Sequence, residues 1–223
     1  MSHSKAGKIA PVVFAVYSVA MPYGMPLQNY ASIQIPLWIF PAILLIAWLI
    51  EGLRVDVLQI GRTNICLTLS GAIIPFAVAL FLGCQFPYFI PFAIGFLMVS
   101  GLMFKFTKPD FLRGTVRFKL SYALTFSYGA AALVALLMYG RPDIAFNIQF
   151  LAPLAGAVGT AGILIGNIAT GLELSSQTAT PATFKQKIVL GSLGISDVLW
   201  SPLIVAVILF TVPEILRNLH LLA

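Results

Sequence analysis

Asp197 is the residue of this sequence that is hardest to explain by packing alone. It lies in the last apolar segment, Lys187–Val212, which is long enough to cross a bilayer as one helix. In such a helix Asp197 would lie roughly 15 Å beyond Lys187, close to the midplane of a hydrocarbon core ~30 Å thick. An ionisable side chain at that depth costs at least about 2.5 kcal/mol on insertion scales, so it usually has a partner or a function. Asp197 is therefore the first candidate for chemistry.

Small residues recur at helical spacing in the last two apolar segments. Those of the sixth segment are Gly156, Gly159, Gly162 and Gly166. Those of the seventh segment are Gly191, Gly194, Asp197 and Ser201. Each set would occupy an arc of roughly 120° on a helix. Such stripes let membrane helices approach closely, so tight packing is one interpretation of the pattern.

The second interpretation is an ion site. The four glycines together with Pro153 and Asn167 make the sixth segment easy to unwind, so we expect a broken helix there. Unwound backbone at membrane depth is tolerated where it is buried in protein or lines a cavity, and its carbonyls can bind ions. Oxygen ligands favour hard cations, which predicts Na⁺, K⁺ or H⁺ as the ligand. The predicted ion-binding residues are Asp197, Ser196, Thr160 and Asn167.

The composition sets the class of protein. Of the 223 residues 60% are hydrophobic and only 9% are charged, which is typical of a polytopic helical membrane protein. The apolar runs are continuous rather than alternating, which argues against a membrane barrel. A net charge of +6 could suggest a nucleic-acid partner, but the cations lie in short loops between apolar runs. We therefore expect the lipid bilayer, and no nucleic acid, as a partner.

The apolar runs predict an all-α protein with seven membrane-spanning helices in a single domain. The predicted spans are 9–23, 33–53, 65–83, 87–104, 120–139, 146–171 and 188–212. If the N-terminus is cytoplasmic, Arg141 and Arg217 lie outside and the other eleven of the thirteen lysines and arginines lie inside. This bias predicts a cytoplasmic N-terminus and an outer C-terminus in a bacterial-type inner (plasma) membrane.

Other polar residues have simpler explanations. Glu51 ends the second span and is expected to pair with Arg54, three residues later. The lysines and arginines of the loop Lys105–Lys119 are expected to set topology, with contact to anionic lipid headgroups as an alternative. No nucleophile–base pair or phosphate-binding loop is present, and both histidines lie at the termini, so we expect no enzyme, resident cofactor or metal site.

Two stretches resemble the monovalent cation:proton antiporter superfamily. The first, Leu49–Phe76, contains a Gly-Leu-x-x-Asp helix end, a Gly-Arg edge and a helix with a glycine and a Pro-Phe pair. The second, Gly156–Leu209, contains a glycine-rich segment with the pair Thr160-Ala161 and then Ser196-Asp197, at the position of the family's acidic dyad. The resemblance implies that Asp197 is the cation- and proton-binding carboxylate.

The resemblance also implies a fold and a partner. The stretch Gly101–Arg113 is similar to a helix end of sodium-coupled bile-acid-type symporters, which share the broken-helix architecture. Ser196 stands where the family usually has Asn or Asp, and the chain has about one repeat where the family has two inverted repeats. Alternating access in such folds uses both repeats, so we expect a homo-oligomer or a partner membrane subunit.

Two functions follow as hypotheses. The first is an integral membrane transporter or transporter-like subunit that exchanges a cation for a proton through Asp197, with help from Ser196 and Thr160. The alternative is a non-transporting accessory or assembly subunit of a membrane protein complex, in which Asp197 pairs with a cationic residue of a partner helix.

Overall fold

The computed structural model describes residues 39–60, 63–84, 88–110, 115–117, 119–140, 142, 147–177, 186–194 and 197–218. In chain order the helices are α1 (Ile39–Leu49), α2 (Ile74–Gly83), α3 (Phe89–Phe106), α4 (Leu120–Tyr139), α5 (Ile148–Gln177) and α6 (Ser201–Asn218). The strands are β1 (Arg54–Ile60), β2 (Thr63–Thr68), β3 (Lys108–Asp110), β4 (Thr115–Arg117) and β5 (Gln186–Leu190). A π-helical turn, Leu69–Ile73, precedes α2, and a 3-10 turn, Val198–Trp200, precedes α6. The predicted span 9–23 lies outside the described residues.

Three helices in the described part of the chain, α3, α4 and α5, are long and apolar enough to cross a membrane. They match the predicted spans 87–104, 120–139 and 146–171 to within a few residues at most ends, although α5 extends to Gln177. The chain is mostly helical, and these helices are consistent with the membrane class that its composition predicts.

Helix α5 is the centre of the bundle. It contacts α2, α3, α4 and α6. In its apolar span 78% of the residues are buried, against 28% in α3 and 33% in α4. The two outer helices expose large apolar side chains, such as Leu97 on α3 (68% exposed) and Leu137 on α4 (73% exposed). Because α5 is apolar on all sides and enclosed, the surrounding helices provide the surface that would face lipid.

The prediction of a broken sixth helix is wrong, because α5 is continuous from Ile148 to Gln177. Its glycines are used for close packing. A Cβ atom on Gly162 would lie 2.6 Å from Cβ of Val99, and one on Gly166 would lie 2.7 Å from Cβ of Met103. A Cβ atom on Gly159 would overlap Ser127 of α4. The stripe therefore lets α3 and α4 approach the helix backbone, as small residues do in membrane bundles.

The all-α prediction also needs correction, because strands replace the first residues of two predicted spans and a third predicted span is only partly helical. The second span, 33–53, contains α1, which ends at Leu49, and its residues 33–38 lie outside the described part. The third span, 65–83, begins within β2 and becomes helical only after Thr68. The seventh, 188–212, begins within β5. A short apolar run fits a strand as well as a helix, and pairing with distant segments decides between them.

The strands form two small sheets. The first has the order β1-β2-β5, with β1 and β2 antiparallel and β2 and β5 parallel. In the register of the parallel pair Ile65 lies beside Ile188. The second sheet is the hairpin β3–β4 between α3 and α4. Both sheets lie at the same end of the bundle. Strand β4 contacts β5. Gly171, near the end of α5, lies against Ile65 of β2 and Ile188 of β5. We call this the strand end.

Aromatic contacts mark the opposite end of the bundle. Tyr88, Tyr139 and Phe150 meet there, with ring centroids 5.1 Å apart for Tyr88 and Phe150 and 5.4 Å apart for Tyr139 and Phe150. Helices α2 and α6 run toward this end from starting points inside the bundle. Each helix therefore follows a strand in one composite segment, and the two composite segments are β2–α2 and β5–α6.

Candidate functional site

The two composite segments start their helices side by side. Because β2 and β5 are parallel neighbours, their carboxyl ends lie at the same sheet edge. From β2 the chain enters the turn Leu69–Ile73, and from β5 it passes through Gly191–Gly194 to the turn at Val198. We call the described residues Thr68–Ile73, Gly191–Gly194 and Asp197–Trp200 the junction.

Glycines prevent the seventh segment from being one helix. Gly191 and Gly194 have φ angles of +76° and +59°, which side chains with a Cβ rarely adopt. The predicted stripe of Gly191, Gly194, Asp197 and Ser201 therefore does not lie along one helix, and that prediction is wrong. Gly191 also meets Gly71 backbone to backbone, so that a Cβ atom on Gly71 would overlap the Gly191 carbonyl.

Thr68 joins the two composite segments. Its Oγ1 donates to the carbonyl of Gly191 at 2.5 Å and accepts from the backbone N–H of Gly71 at 3.2 Å. Thr68 thus caps the turn that begins α2, a common role for threonine. The same hydroxyl ties that helix start to β5, which fixes the spacing of the two helix starts.

Trp200 and Ser70 form the next contact across the junction. The indole Nε1–H of the fully buried Trp200 donates to the carbonyl of Ser70 at 2.8 Å. The Ser70 hydroxyl is also fully buried, and Oγ has no hydrogen-bond partner among the described residues. A buried hydroxyl without a partner costs stability, so it marks a place where a further polar group would be favourable.

Asp197 is the N-cap of the turn before α6. Its Oδ1 accepts from the N–H of Leu199 at 3.2 Å, and its Oδ2 accepts from the N–H of Leu193 at 3.4 Å. The side chain is half-buried. Aspartate is favoured at an N-cap, and its negative charge is favourable at the start of a helix. These bonds explain the acid as a structural residue, and they also hold the carboxylate in a fixed position.

Thr160 defines the depth of this carboxylate. Its Oγ1 donates to the carbonyl of Leu199 at 3.0 Å, and Thr160 lies near the middle of the apolar span Phe150–Glu173. Asp197 is two residues before Leu199, so it lies close to the level of the bundle centre. The described residues before Asp197 form a turn with two positive-φ glycines, and helix α6 starts after the capped turn that follows it.

The other predicted site residues do not converge on this point. The Asn167 Oδ1 accepts from Thr107 Oγ1 at 3.2 Å, seven residues beyond Thr160 and about 10 Å along the helix. Ser196 lies outside the described residues. The glycine stripe lies against neighbouring helices and forms no unwound backbone. Of the predicted set, the structure brings together Thr160 and the capped turn of Asp197.

A second acid, Glu51, lies near the same segment. A Cβ atom on Gly194 would lie 2.5 Å from Oε1 of Glu51, so this carboxylate is next to the positive-φ turn. The sequence predicts only Arg54 as a partner of Glu51. None of Thr68, Ser70 and Trp200 is among the predicted site residues. The available signal was the pair of glycines in an apolar run, which is typical of a turn or close backbone approach.

A polar cluster on the first sheet lies apart from the junction. The Cys66 Sγ donates to Asp56 Oδ1 at 2.5 Å, and Lys187 Nζ lies 3.2 Å from the same oxygen. The hydrogen bond from Cys66 and then the Lys187 cation hold the pKa of Asp56 below its ordinary value. The Cys66 thiol is buried and donates to a carboxylate that is already paired with Lys187, so this cluster is a structural ion pair.

The described residues contain no group of three histidine, cysteine or acidic side chains arranged to hold a metal ion. Both described cysteines have free thiols, Cys66 buried and Cys84 exposed. Neither a protein-family model, nor a curated protein, nor a solved structure matches the chain.

Proposed function

We propose that the protein is an integral membrane transporter or transporter-like subunit that exchanges Na⁺ or K⁺ for a proton at the junction. The observation that carries the proposal is a pair of neighbouring segments that are interrupted near the level of the bundle centre: one holds the Asp197 carboxylate, and the other holds the buried Ser70 hydroxyl, which has no partner among the described residues. Non-helical backbone at membrane depth is tolerated only where it is buried in protein or lines a cavity. Transporters place substrate sites at such interrupted segments.

Each junction residue has a role in the proposal. Asp197 supplies the charge that a cation and a proton would compete for. Ser70 Oγ is available as a neutral oxygen ligand, because it has no other partner among the described residues. Thr160 fixes the carbonyl of Leu199 and thereby the turn that carries the acid. Carboxylate, hydroxyl and carbonyl oxygens are suited to hard monovalent cations.

The proposal includes a topology. The composite segments β2–α2 and β5–α6 would each cross the membrane, in addition to α3, α4, α5 and the N-terminal spans. Described lysines and arginines at the strand end include Arg54, Lys105, Lys108, Lys119 and Lys187. A concentration of cations favours the cytoplasmic side, so the strand end would face the cytoplasm of a bacterial-type inner membrane.

The resemblance to cation:proton antiporters supports the proposal through Asp197 and Thr160. It also suggests what is needed to complete the transporter. We propose that another copy of this chain or a partner membrane subunit contributes the second half of an alternating-access site.

Transport in proteoliposomes tests the proposal. A Na⁺ or K⁺ gradient should drive proton flux in the wild type, and Asp197→Asn should abolish it because the variant cannot exchange a proton. Asp56→Asn is the matched control, since it removes an acid from the exposed ion pair outside the junction. Equal flux in the wild type and Asp197→Asn would refute the proposal.

One observation favours the alternative, a non-transporting subunit of a membrane complex. The Asp197 carboxylate accepts two backbone N–H groups of its own segment, which gives it a structural role without any ion. In this alternative the exposed apolar faces of α3 and α4 would contact partner helices. Co-purification of partners with Asp197→Asn distinguishes the two functions: loss of partners with unchanged ion flux favours the subunit.

A further inference from the structure

Aromatic and lysine side chains gather where α3 ends and α4 begins. The rings of Phe106, Tyr122 and Phe126 are in mutual contact, with centroids 5.3 to 5.8 Å apart. Lys105 Nζ lies 6.0 Å from the centroid of Phe106, and Lys119 Nζ lies 5.7 Å from that of Tyr122. We call these five residues the aromatic–lysine cluster.

The aromatic–lysine cluster is exposed although it is rich in apolar atoms. Phe106 is 41% exposed and Tyr122 is 37% exposed, and both lysines are exposed. The surface continues along the two helices as apolar side chains, with Phe104 40% exposed and Leu120 50% exposed. This position, at the strand end of two helices able to cross a membrane, is where aromatic side chains meet lipid headgroups.

The charge around the cluster is strongly positive. From position 105 to position 119 the sequence has five basic residues and one acidic residue, Asp110. The hairpin β3–β4 pairs Lys108 directly with Arg117. A cluster of cations at the end of membrane-spanning helices favours an anionic partner at this place.

We propose that the aromatic–lysine cluster binds the headgroup of an anionic phospholipid in the leaflet at the strand end. The lysines pair with the phosphate, and their positions over the rings hold them at the edge of the hydrocarbon region. The rings lie beside the glycerol and upper acyl groups, as interfacial tyrosines do. Lipid is favoured over a soluble partner because the cluster is continuous with the apolar faces of α3 and α4.

Binding of phosphatidylglycerol to the purified full-length protein in neutral detergent tests this proposal, with phosphatidylcholine as the reference lipid. Native mass spectrometry gives the affinity of each lipid. Lys105→Gln with Lys119→Gln should weaken phosphatidylglycerol binding by roughly fivefold per lysine, without changing phosphatidylcholine binding. Lys187→Gln is the matched control, because it removes one cation at the strand end that is already paired with Asp56. It should bind phosphatidylglycerol like the wild type.

A second double variant measures the contribution of the aromatic rings to lipid binding separately from that of the lysines. Phe106→Leu with Tyr122→Leu keeps both lysines and an apolar surface, and it should also weaken phosphatidylglycerol binding because the lysines lose their positions. Unchanged binding in either double variant would overturn the proposal, and so would an equal loss in Lys187→Gln. The result is independent of ion exchange, because neither double variant touches the junction.

Discussion

Replacing Gly162 with alanine tests whether the glycines of α5 are packing residues. The new Cβ atom would lie 2.6 Å from Cβ of Val99 and 3.2 Å from the carbonyl oxygen of Phe96. Val99 is fully buried and meets the new atom with its own Cβ, so it cannot turn away without moving the α3 backbone. Overpacking of this kind costs about 1–3 kcal/mol.

The gain in helix propensity offsets part of this cost. Alanine is favoured over glycine inside a helix by roughly 0.5–1 kcal/mol. Gly162→Ala should therefore lower the free energy of unfolding by up to about 2.5 kcal/mol, and by about 1 kcal/mol at the middle of both ranges. Gly101 of α3 and Gly129 of α4 are the matched controls, because both are exposed and a Cβ atom on either meets nothing within 4 Å. Alanine at these positions should be neutral or stabilising.

Reversible unfolding in mixed micelles, followed by far-UV circular dichroism, measures these differences. Because the three variants gain the same helix propensity, a difference in their stability measures the effect of the contact between the new Cβ atom and its neighbours. If Gly162→Ala were as stable as Gly101→Ala and Gly129→Ala, Gly162 would not be in contact with α3. The packing account of the stripe would then fail, and an unwound segment would again explain the glycines.

Three further predictions follow from individual contacts. Thr160→Val should lower the free energy of unfolding by about 1–3 kcal/mol, because the Leu199 carbonyl loses its donor; equal stability in the same micelle assay would exclude that bond. The pKa of Asp56 is lowered in the folded state, so its contribution to stability is present above the unfolded pKa and is lost as pH falls through the folded one. Acid should therefore reduce the melting temperature more in the wild type than in Asp56→Asn. Maleimide should label the exposed Cys84 quickly and the buried Cys66 only on unfolding, and rapid labelling of both would contradict the position of β2.

The long helices could be predicted from the sequence because each is a continuous apolar run of sufficient length. The predicted range 120–139 coincides with α4, since charges or turns interrupt the run on both sides. The spacing of the α5 glycines predicts a stripe on one helix face, but it does not show whether the stripe unwinds the helix or packs against neighbouring helices. Glycines permit both unwinding and close approach, and only the neighbouring Val99 and Met103 decide between these outcomes.

The junction could not be predicted because its contacts are distant in sequence. Thr68 and Gly191 are 123 positions apart, and no local pattern indicates that they meet. The apolar runs at β2 and β5 were assigned to helices since periodicity cannot separate a short buried strand from a helix. The sequence predicts Asp197 inside a helix, whereas it lies at the N-cap of a 3-10 turn, because Gly191 and Gly194 form a turn where a helical stripe was expected.

Proton release on cation binding tests the proposed exchange at Asp197 most directly. Purified protein in weakly buffered detergent solution is mixed with NaCl, KCl or choline chloride across a series of pH values, and a pH dye records the release. Competition for one carboxylate predicts release of up to about one proton per chain with Na⁺ or K⁺ and none with choline. Asp56→Asn should retain this release, and Asp197→Asn should lose it. No release from the wild type at any pH, or equal release from Asp197→Asn, would contradict the proposed exchange.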